Sequence, residues 1–203
     1  MTSQTKPDTL LNRKRQVVKD AIWDAATDLF AEKGYDETTI EEIVHAAGVS
    51  QRSFFRYFSS KSDLMAYAMV GYGDAIVQAI AACPRSYSPS QILRHTVLDV
   101  AQRSAAHPRS RKTMEVLAKY PAARAAEISR LPEVQDRATE AFARRNKSRR
   151  DDLAPRLLAG LTLHILGVTM QSWFTHPQQD VSATADEAIA TIRRLMCAGN
   201  TRK

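Results

Sequence analysis

The chain has 203 residues and a mass of 22.6 kDa, which suits one large domain or a small domain joined to a larger one. Hydrophobic residues make up 44% and charged residues 25%, a balance that excludes a chain disordered throughout. Its two cysteines, Cys83 and Cys197, lie far apart and exclude both a disulfide framework and a zinc site built on cysteine spacing.

The net charge of +7 permits a polyanionic partner, but the first 61 residues carry nine basic and nine acidic groups and are neutral overall. DNA binding near the N-terminus would therefore depend on particular positions and not on bulk charge. The start of the chain has no apolar core of signal-peptide length, and the apolar stretch Leu157–Met170 is shorter than a membrane span. We therefore expect a cytoplasmic protein that does not enter a membrane.

The apolar residues recur at helical spacing along nearly the whole chain, which predicts an all-α fold. Local signals mark the first boundaries: Gly34 ends the first helix, Thr39–Glu42 forms a capping box, and Ser50 caps a short third helix. A single helix with a kink at Pro132 is predicted over 122–145. The predicted helices lie at about 13–33, 39–47, 51–58, 60–82, 88–106, 108–120, 122–145, 153–174 and 182–197.

The second and third helices are joined by the sequence AAGVS, a spacing typical of a helix-turn-helix. Small alanines allow the two helices to cross closely, Gly48 supplies the turn, and Val49 fills the space between them. Phe54 and Phe58 are four residues apart and should face the core. The polar residues of the third helix are left on its other faces, where they can enter a major groove.

The segment from Thr38 to Lys61, preceded by the sequence FAEKGY, resembles the DNA-binding domain of the TetR family of bacterial transcriptional regulators. The resemblance covers about residues 13–66. It implies that Thr38 and Thr39 contact phosphate, and that Tyr57 and Lys61 hold the DNA backbone. The full set of DNA-binding residues it implies is Thr38, Thr39, Gln51, Arg52, Ser53, Arg56, Tyr57 and Lys61.

Two positions depart from the pattern of the family. Phe55 stands where the family most often has Tyr, so a phosphate-directed hydroxyl is missing there. Arg52 stands where a small residue is frequent, and it adds a long donor of the kind that pairs with guanine O6 and N7. The basic run Arg13–Arg15 is either an arm that contacts DNA or a solvated tail.

The resemblance implies that the larger C-terminal region binds a small molecule and forms a homodimer. Gly160 and Gly167 are seven residues apart, so they lie on one face of their helix and would let a partner helix approach closely. The candidate ligand-binding residues are large apolar side chains spread through this region: Leu98, Met114, Leu117, Tyr120, Phe142, Met170 and Trp173.

Other features favour structural roles. The basic cluster Arg144–Arg150 is interpreted as a solvated connector, although an anionic ligand group or an acidic partner remains an alternative. The five histidines show no metal-binding spacing, and no hydrolase or nucleotide-binding motif occurs. We therefore expect no catalytic residues, no metal and no cofactor.

The sequence predicts a flexible arm at 1–12, a three-helix helix-turn-helix DNA-binding domain at 13–60, and a helical regulatory and dimerisation domain at 61–203. The predicted function is a repressor that a small, largely apolar ligand releases from a palindromic double-stranded DNA operator. An activator or a ligand-independent DNA binder is the first alternative. A small all-α enzyme is the second, and the outward polar residues of the third helix argue against it.

Overall fold

The computed structural model describes residues 10–197, which form α-helices and no strand within that range. The all-α prediction is confirmed. The helices are α1 (Leu10–Glu32), α2 (Ile40–Ala46), α3 (Gln51–Tyr57), α4 (Lys61–Ala82), α5 (Pro89–Ala106), α6 (Ser110–Lys119), α7 (Pro121–Ile128), α8 (Leu131–Asn146), α9 (Leu153–Thr175) and α10 (Val181–Cys197).

Two boundaries differ from the predicted ones. Helix α1 begins at Leu10, so the last three residues of the predicted flexible arm are helical, whereas 1–9 lie outside the described residues. The predicted kinked helix over 122–145 is in fact two helices, α7 and α8, and Pro132 lies in the first turn of α8. Its ring nitrogen cannot donate to the carbonyl of Ile128, so the earlier helix ends there and a new one begins.

Short-range capping explains where the N-terminal helices start. Thr39 and Glu42 form the predicted capping box of α2, and the Ser50 side chain accepts a hydrogen bond from the backbone of Ser53. Ser60 caps α4 in the same way through the backbone of Asp63. These hydroxyls satisfy backbone N–H groups that have no partner inside their helices.

Gly34 has a positive φ of +108° and lies directly under the C-terminal domain. A Cβ atom at this position would lie 2.7 Å from the hydroxyl of Tyr120, at the junction of α6 and α7. Glycine is therefore required here both by the backbone conformation and by the close approach of Tyr120. The turn that leads into the helix-turn-helix is packed against the body of the molecule.

The buried residues form two cores that share α4. Leu64 and Met65, at the start of α4, pack with α1, α2 and α3 in the N-terminal core, while Ile76 and Ile80 belong to the C-terminal core. Val116 and other residues of α6 and α7 also pack into the N-terminal core. The cores therefore do not divide at residue 61, where we predicted the domain boundary.

The C-terminal core is built from α4, α5, α8, α9 and α10, with α9 packed against α5, α8 and α10. Helices α4 and α9 are long and apolar enough to cross a membrane by length and composition, so α9 exceeds the short apolar stretch that the sequence suggested. Their inward faces are buried among the other helices, as in the core helices of a folded domain.

Ion pairs join α6 to α1. The guanidinium of Arg109 contacts Asp24 at 2.5 Å and Asp28 at 2.7 Å, and Lys112 contacts Asp28 at 2.8 Å. The hydrogen bond from Lys112, together with the contacts from Arg109, holds the pKa of Asp28 below its ordinary value. Helix α6 therefore touches the DNA-binding unit through charges as well as through apolar packing.

Candidate DNA-binding surface and helical body

Helix α3 is held against the N-terminal core by two aromatic side chains. Phe54 is fully buried and Phe58, which follows the helix, is nearly so, with their ring centroids 5.7 Å apart. Both pack with Phe30 of α1 and Ile43 of α2. Because these anchors occupy one side of a seven-residue helix, its remaining residues point outward, as predicted.

The outward residues of α3 fall into three rows, each made of residues four apart. Gln51 and Phe55 form one exposed edge, and Arg52 and Arg56 form the exposed middle row. Ser53 and Tyr57 form the other edge and are partly buried. The six side chains together make a surface that is narrow enough for a major groove and rich in hydrogen-bond donors.

Neighbouring hydrogen bonds orient several of these side chains. The Ser53 hydroxyl accepts a hydrogen bond from the Ser50 hydroxyl at 3.0 Å. Arg56 donates to the Tyr57 hydroxyl at 3.1 Å, and its guanidinium lies 4.8 Å from the centre of the Tyr57 ring. These contacts hold Arg56 and Tyr57 together at the end of α3 that is nearer to α1.

The two threonines before α2 have different environments. Thr39 is exposed, and its hydroxyl donates to Glu42 at 2.9 Å while it caps the helix. Thr38 is only 2% exposed, and its hydroxyl donates to the Gly34 carbonyl at 2.6 Å. The predicted phosphate contact by the Thr38 side chain is therefore corrected, because that hydroxyl is enclosed and already bonded.

Lys61 also differs from its predicted role. Its ammonium donates to the backbone carbonyls of Tyr35, of Asp36 at 3.1 Å and of Thr38 at 3.0 Å. It also lies 4.7 Å from the centre of the Tyr35 ring. An ammonium group has three N–H donors, and all three have acceptors within the chain. Lys61 holds the loop between α1 and α2 in place, so it lacks the free donor that a phosphate contact needs.

A cleft between α1 and α3 contains residues that the sequence analysis did not assign. Its volume is about 520 Å³, and it is lined by Asn12, Arg15, Gln16, Lys19, Arg56 and Tyr57. The four α1 residues recur at three- and four-residue spacing, a polar face that the sequence could have revealed. Beside it, burial raises the pKa of Tyr67 to about 12, so this phenol stays protonated and donates to Asp20 at 3.2 Å. The basic cleft is suited to a phosphate next to the recognition helix.

The seven predicted ligand-binding residues do not share one pocket. Met114, Leu117 and Tyr120 pack against the N-terminal core, whereas Leu98, Phe142, Met170 and Trp173 belong to the C-terminal core. The first three are separated because α6 lies against α1 and not in the centre of the body. A common pocket lined by all seven is therefore wrong.

A groove of about 570 Å³ lies between α9 and α10, and none of the seven residues lines it. Apolar side chains are exposed on the same two helices: Leu157, Val168, Leu195 and Met196. A Cβ atom at Gly167 would meet nothing within 4 Å, and one at Gly160 would come only to 4.0 Å from the Gln135 amide nitrogen. These helices therefore present an apolar outer face with open space above Gly167.

Most of the basic cluster at the end of α8 has partners within the chain. Arg145 donates to the carbonyl of Cys83 at 2.6 Å and also to that of Pro84, which ties α8 to the end of α4. Arg144 pairs with Glu140 at 3.1 Å, and Arg150 pairs with Asp136 at 2.8 Å. These contacts favour the connector interpretation over a binding site for an anionic ligand group.

Comparison with known proteins matches both parts of the chain to family models. Residues 22–68 match the model of bacterial regulatory proteins of the tetR family, and residues 87–196 match the model of the MftR C-terminal domain. The second match alone covers more than half of the chain. The first one contains α2 and α3, where the outward rows lie.

Relatives and solved structures agree with these matches. The chain is 25% identical to the HTH-type transcriptional regulator TcmR of Streptomyces glaucescens, covering 91% of this chain and 86% of TcmR. It is 25% identical to the mycofactocin biosynthesis transcriptional regulator MftR of Mycobacterium tuberculosis, covering 96% and 97% of the two chains.

Two solved structures share the fold. NalD of Pseudomonas aeruginosa, the secondary repressor of the MexAB-OprM multidrug efflux pump, has a TM-score of 0.60 at 20% identity, over 90% of this chain and 96% of NalD. FadR of Bacillus subtilis, solved with stearoyl-CoA, has a TM-score of 0.59 at 17% identity, over 85% and 96% of the two chains. With both family models matched in order, the chain belongs to the TetR family of bacterial regulatory proteins and is a DNA-binding transcriptional regulator with a C-terminal domain of the MftR type.

Proposed function

We propose that this regulator is a cytoplasmic homodimeric repressor that binds a palindromic operator and is released from it by a small, largely apolar ligand. The observation that carries the proposal is the construction of α3, whose buried Phe54 and Phe58 leave a polar outer surface around Arg52. In a symmetric dimer, two such helices would enter successive major grooves about one helical turn apart, or somewhat more.

The outer face of α9 and α10 supports dimerisation. Leu195 is 73% exposed and Val168 is 49% exposed, and both lie on the groove between these helices. A partner chain that covers this face would remove apolar surface from water, which is the main driving force of obligate association. The open space above Gly167 would admit a helix of the partner.

The four candidate ligand residues of the C-terminal core remain the proposed place for an apolar effector. Phe142 and Met170 are buried there, while Leu98 and Trp173 are partly buried. NalD supports repression and FadR supports an effector with a long acyl chain, each only as a protein of the same fold. The effector would favour a dimer in which the two recognition helices are wrongly spaced.

Helix α6 is the proposed route from the body to DNA. Arg109 and Lys112 join it to α1, and Arg111 of the same helix lies over the ring of Trp173 with a separation of 4.7 Å. A ligand beside Trp173 would therefore displace a helix that is ion-paired to the DNA-binding unit. In this mechanism the regulator has no catalytic step.

The experiment is selection of bound sequences from random double-stranded DNA, followed by a gel shift and a reporter assay with the selected site. We expect an inverted repeat, and lower reporter output when the protein is present. Higher output would replace repression with activation. Selection of no sequence at all would contradict the proposal.

Effector control is tested by thermal-shift screening of apolar and amphipathic molecules, with stabilising compounds carried into the gel shift. A true effector raises the melting temperature by binding the folded state and lowers operator affinity. If stabilising compounds never alter operator binding, the protein is a ligand-independent DNA binder and the body is a dimerisation scaffold.

A further inference from the structure

An apolar side chain is exposed in the middle of the DNA-facing surface. The Phe55 side chain is on α3, one turn after Gln51 and on the same edge, and the residue is 54% exposed. Its ring meets the ring of Phe54 edge-on, with centroids 5.4 Å apart and an interplanar angle of 83°. Because Phe54 is fully buried, it supports one edge of the Phe55 ring while the rest of the ring faces solvent.

The chemistry of this side chain limits what it can contact on DNA. A phenylalanine ring has no hydrogen-bond donor or acceptor, so it cannot bond to a phosphate or to the polar edge of a base. The exposed neighbours Gln51, Arg52 and Arg56 can do both. Within a major groove, the apolar group presented by the standard bases is the C5-methyl of thymine.

We infer that Phe55 is a specificity-determining residue that contacts the methyl group of a thymine in each half-site. The inference rests on the proposed insertion of α3 into the major groove. The contact would remove the exposed part of the ring and the methyl group from water together. It gives the Gln51–Phe55 edge a preference for thymine, beside the donors of the Arg52–Arg56 row.

The test is a double-mutant cycle on the selected operator. Each thymine of the half-site is replaced in turn by uracil, which lacks only the methyl group, in both half-sites at once. For the wild-type dimer we expect one thymine whose replacement weakens binding about fourfold per half-site, the effect of burying one methyl group, and roughly 15-fold for both. For Phe55→Ala, the same replacement should change the affinity by less than about twofold.

Two further variants make the result specific to the ring. Phe55→Leu keeps an apolar side chain and should retain most of the uracil effect. Ile128→Ala removes another exposed apolar residue, on α7, and should leave the full effect in place. Thermal melting of Phe55→Ala should match the wild type, because the side chain is largely outside the core.

The outcomes are distinct. A wild-type protein that binds its operator equally well with uracil at every thymine, or an operator without thymine, overturns the inference and leaves the proposed DNA binding intact. A uracil effect that persists unchanged in Phe55→Ala also overturns it, because another residue then contacts the methyl group. Failure to select any DNA overturns both the inference and the proposed function.

Discussion

Arg52 is the exposed side chain of α3 with the longest reach toward a base edge, and its guanidinium matches guanine O6 and N7. We predict that Arg52→Ala costs about 1–3 kcal/mol of operator binding and relaxes the preference at one base pair of each half-site. The measurement is the affinity for the operator and for all its single-base variants. Arg85→Ala, which removes an exposed arginine between α4 and α5, is the control and should change nothing. Wild-type selectivity in the Arg52 variant would exclude base contact.

Lys61 belongs to the same motif, but its three carbonyl partners assign it to folding. We predict that Lys61→Ala lowers the free energy of unfolding by roughly 1–3 kcal/mol, because the loop before α2 loses charged hydrogen bonds. The slope of log affinity against log salt concentration should stay at its wild-type value, since no phosphate contact is lost.

Arg15 supplies the contrast within the cleft between α1 and α3. Arg15→Ala should leave the melting temperature unchanged and make the salt slope shallower by about 0.9, the value for one phosphate contact. If Lys61→Ala instead melts like the wild type and makes the slope shallower, Lys61 is a phosphate ligand after all.

At the scale of the element, α2 depends on a charged capping box. The hydrogen bond from Lys33, followed by those from the backbone and hydroxyl of Thr39, lowers the pKa of Glu42 from 4.5 to about 2. The folded state thus keeps this carboxylate ionised at a pH where the unfolded chain protonates it. The stabilisation is therefore present above pH 4.5 and is lost as the pH falls from 4.5 toward about 2.

We predict that Glu42→Gln flattens the fall of the melting temperature across this acidic range, because the amide can still cap Thr39 but does not titrate. Thermal melts at several pH values below 5 measure the effect. Glu41→Gln removes a neighbouring exposed carboxylate that is outside the capping box, and it should keep the wild-type profile. Identical pH profiles for Glu42→Gln and wild type would show that this carboxylate does not contribute.

At the scale of the whole molecule, Gly167 separates the stability of the chain from that of a dimer. Leucine has a higher helix propensity than glycine by roughly 0.8 kcal/mol, and the protomer offers open space at this position. Any loss of stability in Gly167→Leu must therefore come from a partner helix that the new side chain pushes away.

We predict that the wild type sediments at about twice 22.6 kDa at micromolar concentration, and that Gly167→Leu shifts it toward monomer or aggregate. Analytical ultracentrifugation measures both. Gly71→Leu is the matched control, because Gly71 is also an exposed helical glycine with open space, on α4. A monodisperse wild-type monomer would contradict dimerisation through α9 and α10.

The sequence by itself determined the helices and the helix-turn-helix, because the signals that define them act over a few residues. A capping hydroxyl such as that of Ser50 bonds to a backbone N–H three residues away, and Gly34 needs only its own φ to end α1. The spacing of Phe54 and Phe58 likewise placed the inner face of α3 correctly. Pro132 showed the limit of such signals, since a kink and a break produce the same local pattern.

Only the tertiary structure decided which polar groups are free to act, because their partners are distant in sequence. Lys61 is occupied by carbonyls about 25 positions earlier, and the Thr38 hydroxyl is enclosed by the packing of the turn at Gly34. The crossing of α6 over α1 likewise divided the apolar residues of the body between two cores, which helical spacing cannot reveal. Residue type and period specify which face of a helix is apolar, whereas the helix that covers this face depends on how the whole chain packs.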